Sequence, residues 1–424
     1  MKEDFLHYIW RYGLYASSTI YTVQKERIYI VKPGQYNTNA GPDFLQSELV
    51  INNQKWVGNV EIHINASDWY HHRHEEDSNY DAIILHVVWN HDVDIYMKDN
   101  RPLPTLELSS FVSKALLLKY TMLYKSDSRW IPCENHIQKT PSFVLKNWLE
   151  RLYFERLEQK LDTINGLLNR SKNDWEAVFF QMLARGFGSR VNGDAMLMMA
   201  QSMEMSIVRK QVHDPFKLAA LLFGQGGLLE DELEDDFYVK LKEEYRYLCH
   251  KYKLRGIDKG RLQFFRMRPH NFPTIRIAQL VSLYAGNGYL FSLILKAETI
   301  EDYYNLFNVN VDSYWKCHFT FGKKSAFSAK KITKSFIDLL VINTILPIKY
   351  HYFKSLGKLN VEAMITLISS IRPEKNRILT KFSELTIQPE NALESQGLLQ
   401  LKNNYCASKR CLECAIGKIT LAKR

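Results

Sequence analysis

The sequence predicts an α/β N-terminal domain followed by a large all-α domain and a cysteine-bearing C-terminal tail. Three observations carry this. β-Branched and aromatic runs separated by Gly, Pro and Asn fall within the first 110 residues, apolar residues recur at helical spacing from about residue 141, and three of the six cysteines crowd into the tail. At 424 residues the chain is too long for one ordinary core and suits several domains, drawn here as 1–130, 131–400 and 401–424.

Residues 4–15 suit a short helix, and "RIYIVKP", "DFLQSELVI" and "KWVGNVEIHI" read as three strands with "AIILHVVWN" as a fourth. Between the third and fourth, "NASDWYHHRHEEDSNYD" reads as a helix capped by Ser67 or Asp68 and carrying Glu75 and Glu76. The order is α, β, β, β, α, β. Beyond it, "SFVLKNWLERLYFERLEQKLDTINGLL" places Leu145, Trp148, Leu149, Leu152 and Leu157 on one helical stripe. Comparable stripes follow at 174–185, 216–223, 275–297 and 331–346, broken by "FGQGG" and "RPHNFP".

A hydrophobic content of 46% with 13% aromatic residues excludes a disordered or fibrous chain. The N-terminal "MKEDFLHYIWRYGLY" does not read as a signal peptide, and the apolar runs are too short or interrupted to span a bilayer, so a cytoplasmic location with no membrane partner is expected. A net charge of +10 and a pI near 9.0 permit attraction to polyanions. The runs "KGRLQFFRMRPH" (259–270) and "GKKSAFSAKKITK" (322–334) mix basic and aromatic residues in the way that phosphate contact and base stacking require, so nucleic acid is the expected partner. In "RPHNFPTIRIAQL", Arg268, Asn271 and Arg276 are further phosphate candidates, with a structural junction the favoured role. No phosphate loop of the GxxxxGK[ST] type and no GxSxG nucleophile elbow occurs.

The second and third strands form a hairpin through "NNQ" at 52–54. With Ile51 opposite Lys55, Asp43 lies across from His63 and diagonal to Glu61, all on one face; a slip of one residue would send Glu61 and His63 to the other face. The third strand alternates apolar Val60, Ile62 and Ile64 with polar Glu61, His63 and Asn65, and such polar residues in a strand call for solvent, partners or a metal. An Asp on one strand and Glu-x-Lys on the next, within an αβββαβ order, resembles the PD-(D/E)XK nuclease superfamily. "GPDF" and "VEIH" carry the resemblance, with His63 standing where the usual lysine would be. It implies Mg²⁺ or Mn²⁺ held by Asp43 and Glu61, with His63 positioning or activating water for phosphodiester hydrolysis. Imidazole can also ligate metal, which leaves His63 open as base, ligand or donor.

The histidine-rich helix places Tyr70, His74 and Asp77 on one face, making His74 and Asp77 further catalytic candidates; His71 and Glu75 form a second pair, and His86 reads as a satisfied core histidine. Across nearly its whole length the sequence resembles an uncharacterised bacterial family of unknown function, through "NAGPDF", "GNVEIH", "SDWYHHRH", "ILHVVW", "IPCE", "LLFGQGG", "RPHNFP" and "CLECAIG".

Cys406, Cys411 and Cys414 in "YCASKRCLECAIG" have the spacing of metal ligands, and Cys133 in "WIPCE" completes a set of four for zinc or an iron–sulfur cluster. One early cysteine with a C-terminal trio also resembles the iron–sulfur staple of certain PD-(D/E)XK nucleases. Cys249 and Cys317 read as packing residues. The leading expectation is a metal-dependent nuclease acting on DNA or RNA. An inactive nucleic-acid-binding or scaffold protein on the same fold, and a metal-dependent hydrolase of a small substrate, are the alternatives.

Overall fold

The structure, a computed structural model, describes residues 1–16, 19–124 and 129–422. The chain forms two compact units: unit 1 is Met1–Leu145 with Lys402–Arg424, and unit 2 is Lys146–Leu401. The tail drawn as a separate segment therefore belongs to unit 1, together with residues 131–145.

Unit 1 opens with α1 (Glu3–Tyr12), whose first turn carries Glu3 and Asp4 and whose last carries Arg11, as the helix dipole favours. Gly13, at φ 60°, ends it by donating to the Ile9 and Trp10 carbonyls. Seven strands follow: β1 (Ile20–Tyr21), β2 (Arg27–Lys32), β3 (Gln35–Tyr36), β4 (Phe44–Ile51), β5 (Gln54–Asn65), β6 (Ile83–Asn90) and β7 (Thr105–Glu107). They make one mixed sheet in the order β1-β2-β4-β5-β6-β7, with β3 paired to β4. β5 is the pivot, antiparallel to β4 and parallel to β6. The four long strands lie where the sequence places them; the three short ones escape because two or three residues display no periodicity.

The β4–β5 hairpin corrects the expected register. Its turn has two residues, Asn52 and Asn53, both left-handed at φ 49° and 65°, as a type I′ turn demands. Ile51 consequently pairs with Gln54 and Val50 with Lys55. Continued unbroken, that register would set Asp43 opposite Ile62, away from Glu61. A bulge intervenes between Ser47 and Phe44, with Gln46 at φ 56°, and Phe44 pairs with Val60. Asp43 thus faces Glu61, not His63.

After β5, the helix expected to reach Glu76 stops at once: α2 is Asp68–His71 only. Ser67 is tied to Asp92 through its backbone N–H (2.9 Å) and its hydroxyl (2.7 Å), and Trp69 is fully buried. Arg73 then turns left-handed at φ 57°. This turn lays His74 against the Tyr80 ring, with centroids 3.8 Å apart, where a continuing helix would carry it past. α3 (Lys114–Tyr124) completes the N-terminal part of the unit. The tail is stitched on by three lysines: Lys402 donates to the Trp130 carbonyl (2.6 Å), Lys409 to that of Tyr124 (3.1 Å) and Lys418 to the Tyr12 hydroxyl (2.9 Å).

Unit 2 is mainly helical. α4 (Ser142–Gln159) buries Trp148, Leu149, Leu152 and Leu157 of the expected stripe, and α5 (Leu161–Arg170) and α6 (Trp175–Gln201) follow. Later helices include Pro215–Gln225, Pro273–Gly286, Lys334–Leu340 and Leu346–Ser355, around one large apolar core. The all-α expectation needs one correction, a small hairpin of β8 (His318–Thr320) and β9 (Lys323–Lys324). Arg276 is a junction residue: it is buried, donates to Asn271 (2.8 Å) and Gln279 (2.9 Å), and covers the Phe336 ring. Among the described residues no single helix is long and apolar enough to cross a membrane.

Candidate metal centre

One face of the unit 1 sheet carries a row of polar side chains. Glu61 of β5 pairs with His86 of β6, which pairs with Thr105 of β7, and the β4 register sets Asp43 on the other side of Glu61. The two acids lock each other in place. The Asp43 N–H donates to Glu61 Oε2 (3.1 Å), and the Ile62 N–H donates to Asp43 Oδ2 (3.0 Å). Glu61 therefore turns its free oxygen, Oε1, towards two of three clustered histidines.

Those histidines are His63 on β5 and His72 and His74 on the turn after α2. Glu61 Oε1 lies 3.6 Å from His63 Nε2 and 3.4 Å from His74 Nε2, and His63 Nε2 lies 3.2 Å from His72 Nδ1. One nitrogen from each imidazole falls within 4.8 Å of the others. Donors bound to one ion at about 2.0–2.1 Å in a tetrahedron stand roughly 3.4 Å apart, so the three imidazoles are spaced to share a single ion, with Glu61 Oε1 next to two of them. Depth grades across the centre: His63 is 2% and Glu61 5% exposed, whereas His72 faces solvent. An ion here would be gripped from below and open on the His72 side.

Electrostatics agree with a cation-binding role. Burial, reinforced by His74 and His72, pulls His63 down to about 4, and burial with the neighbouring histidines holds His86 well below the usual imidazole range. Both rings are therefore neutral at pH 7, the form that ligates metal. His63 Nδ1 is 2.9 Å from His86 Nε2; in the tautomer in which His63 Nδ1–H donates to His86 Nε2, the His63 Nε2 lone pair faces the cluster. Burial and Asp43 raise Glu61, with the His74 ring partly offsetting them. His74 Nε2 is buried and makes no aligned hydrogen bond, a cost that an ion would remove.

Of the residues singled out in the sequence, Asp43, Glu61, His63 and His74 come together. Asp77 does not: it caps the turn at 78–80, accepting from the Asn79 backbone and side-chain amide groups at 2.9 Å. His7, His72 and His86 join the site without having been picked for it. His7 arrives from α1, with Nε2 3.2 Å from Asp43 Oδ2; burial opposes its charge, but the Asp43 carboxylate prevails and raises its pKa. His72 had a readable signal in its neighbourhood to His74. His7 had none, being brought in by topology alone.

All six cysteines are free thiols, and Cys133, Cys406, Cys411 and Cys414 are buried in unit 1. Burial raises Cys133 and Cys406 and pushes Cys411 up to about 12, and in each case neighbouring cysteines of this set add to the rise. The four are thus close enough to feel one another's charge, but among the described residues only His63, His72 and His74 bring three ligand atoms within 4.8 Å of one another. Gly417 lets the last helix close on this loop, since a Cβ there would sit 2.1 Å from the Cys411 carbonyl oxygen.

A family model described as "Protein of unknown function (DUF2851)" matches residues 3–377. No curated protein and no solved structure matches.

Proposed function

This chain belongs to the DUF2851 family of proteins of unknown function, and we propose that it is a metal-dependent hydrolase that cleaves phosphodiester bonds in DNA or RNA. The observation that carries the proposal is the meeting of His63, His72 and His74 at metal-ligand spacing, with Glu61 Oε1 beside His63 Nε2 and His74 Nε2 and held by the Asp43–Glu61 pair. The mixed sheet, with Asp43 immediately before β4 and Glu61 on β5 of its hairpin, supports a PD-(D/E)XK-like reading, with one change. Asp43 orients Glu61 and holds His7, while three imidazoles take much of the ion. A nitrogen-rich set favours Mn²⁺ or Zn²⁺ over the hard cation Mg²⁺.

A bound ion would polarise the phosphoryl oxygen and lower the pKa of water. The rest falls to the chain. Glu61, fixed through Oε2, cannot swing away, and His86 keeps the His63 ring from rotating. His7, biased towards its charged form by Asp43, holds a proton at Nε2 that can be given to a leaving oxygen. The nucleic-acid part is supported by charge and by unit 2, where Phe265 and Phe327 are 76% and 72% exposed within the two basic runs. Those runs meet at the Phe319 ring, which His270 of the first run packs against at 5.1 Å and Lys330 of the second covers at 3.9 Å. A small-substrate hydrolase is the second reading, favoured by the burial of Glu61 and His63. The four cysteines supply a second, structural metal site in this proposal.

The test begins with metal analysis of the purified full chain. Labelled single- and double-stranded DNA and RNA are then incubated with Mn²⁺, Zn²⁺ or Mg²⁺, alongside Glu61→Gln and His74→Ala. Cleavage that needs the ion and falls at least about a hundredfold in both variants supports the nuclease. Activity only on small phosphodiesters selects the second reading. An ion-loaded chain that binds nucleic acid and cleaves nothing leaves a binding protein.

A further inference from the structure

Unit 2 holds a second candidate site, and it does not depend on the metal-centre reading. A cavity of about 400 Å³ is lined by Lys160, Arg185, Ser189 and Arg190 together with apolar residues including Met182 and Phe336. Two irregular backbone segments face each other across it. Ser189 interrupts α6 at φ 52°, ψ −149°, at the edge of a region normally left to glycine. Opposite, Val341–Ile345 form a π-helical turn that offers Asn343 and Thr344 to the cavity. Gly186 allows the close approach of the walls: a Cβ there would lie 2.8 Å from both Leu340 Cδ2 and Thr344 Oγ1. Strained residues and π-turns both cost free energy, and both concentrate where a ligand is handled.

The charges around the cavity are unbalanced. Lys160 Nζ donates to the carbonyl and side-chain oxygens of Asn343, both at 3.3 Å, and Asn343 passes the connection to Glu374 (3.2 Å). Glu374 stands behind Asn343 and also accepts from Gln396 (2.8 Å), to which Arg156 donates (2.8 Å). Arg185 is engaged by Asp194 at 3.0 Å, and Arg190 is exposed with no ion pair among the described residues. Burial, with Arg156 and Arg185 adding and Glu374 opposing, pulls the Lys160 ammonium down to about 7. Two carboxylates, Glu374 and Asp194, therefore answer three guanidinium groups and a lysine that a neighbouring anion would return to its charged form, and a bound anion would relieve the excess.

We propose that this cavity binds a small organic phosphate of nucleotide size. Its phosphoryl oxygens are taken by Lys160, Arg190 and the Ser189 hydroxyl, and its apolar or ring body lies along Met182 and Phe336. The guanidinium fork and the ammonium match phosphate chemistry, the hydroxyl at the helix break adds a directional donor, and the volume is within the range of small-ligand pockets.

Calorimetric titration of the full chain tests this with adenosine monophosphate, adenosine and inorganic phosphate as probes. Saturable binding of the monophosphate, weaker binding of phosphate and none of adenosine is expected, with about a tenfold or greater loss of affinity in Arg190→Ala and Lys160→Met. Arg190 is exposed, so its variant keeps the fold and decides the matter if Lys160→Met does not. Adenosine binding as tightly as its monophosphate, no binding of either phosphate probe, or unchanged affinity in Arg190→Ala would overturn the proposal. Inorganic phosphate binding as tightly as the monophosphate would overturn the organic-phosphate assignment.

Discussion

Glu61 illustrates how a strand residue becomes a site. Its backbone belongs to a central strand, one oxygen is spent on the Asp43 N–H, and only the other is left for chemistry. His63 is held in the same manner by His86, whose ring touches no bound group and acts through orientation alone. In His86→Ala the affinity for Mn²⁺ or Zn²⁺ is expected to fall by about 10- to 100-fold while the three imidazoles remain. Titration against a competing chelator measures it; an unchanged affinity would deny His86 that role. A second buried base acts on stability instead. Lys349 donates to the Ala297 carbonyl (2.5 Å) and the Tyr303 hydroxyl (3.1 Å), and burial pulls it down to about 8 despite Glu298 and Asp302. Between that value and its ordinary one near 10.5 the unfolded chain carries the proton and the folded chain does not, so stability rises with pH across the window and is lost as pH falls through it. Relative to Lys349→Met, the wild type should gain about 2 kcal/mol between roughly pH 7.5 and pH 10, as read by urea unfolding at each pH. A constant difference between the two proteins would contradict this. Composition and spacing bring Asp43, Glu61, His63 and His74 to notice because each sits in a short quotable motif. His7 lies 36 positions before Asp43 on another element, and no local pattern points from one to the other.

At the scale of elements, the hairpin decides whether the site exists. Alternation along β5 shows that Glu61 and His63 share a face, but which residue of β4 joins them depends on the turn and the bulge. Both are set by left-handed residues that are not glycine: Asn52, Asn53 and Gln46. Asparagine advertises such a conformation, so the turn is readable as a turn, though not its length; glutamine does not, and the bulge is hidden. The same limit explains α2. Its cap and its histidines read as a helix, whereas tertiary anchors at Ser67 and Trp69 end it after one turn. Gln46 is exposed, so substitutions there act through the backbone. Gln46→Gly should be neutral or stabilising, and Gln46→Val should cost about 1–2 kcal/mol because a β-branched residue tolerates φ 56° poorly. If the bulge sets the register, the valine variant also loses metal affinity. Denaturant unfolding together with a metal titration separates the two effects. A valine variant as stable and as metal-avid as the glycine one would remove the bulge from the account.

For the whole molecule, the distinctive fact is that unit 1 is built from both ends of the chain while unit 2 is one continuous segment between them. Helical periodicity finds unit 2 and strand patterning finds the sheet, but the return of the tail to unit 1 is a long-range pairing. The only hint of it in the sequence is that Cys133 lacks a local partner set and the tail has three cysteines to offer. Zinc or a cluster at Cys133, Cys406, Cys411 and Cys414 would close a loop around the entire helical unit and constrain the unfolded chain accordingly. Ending the chain after Leu401 removes three of those thiols along with the lysine ties to Trp130, Tyr124 and Tyr12. Calorimetry of the full chain should then show two transitions. Truncation or a strong chelator is expected to lower the one belonging to unit 1 by about 10 °C or more, and to leave the unit 2 transition in place. Residues 146–401 alone, with their own continuous core, should fold cooperatively with that same second transition. A truncated chain whose two transitions match those of the full chain would mean that the cysteine loop ties nothing together. Parallel loss of both transitions would mean that unit 2 depends on unit 1 for its stability, against the independence its closed core implies.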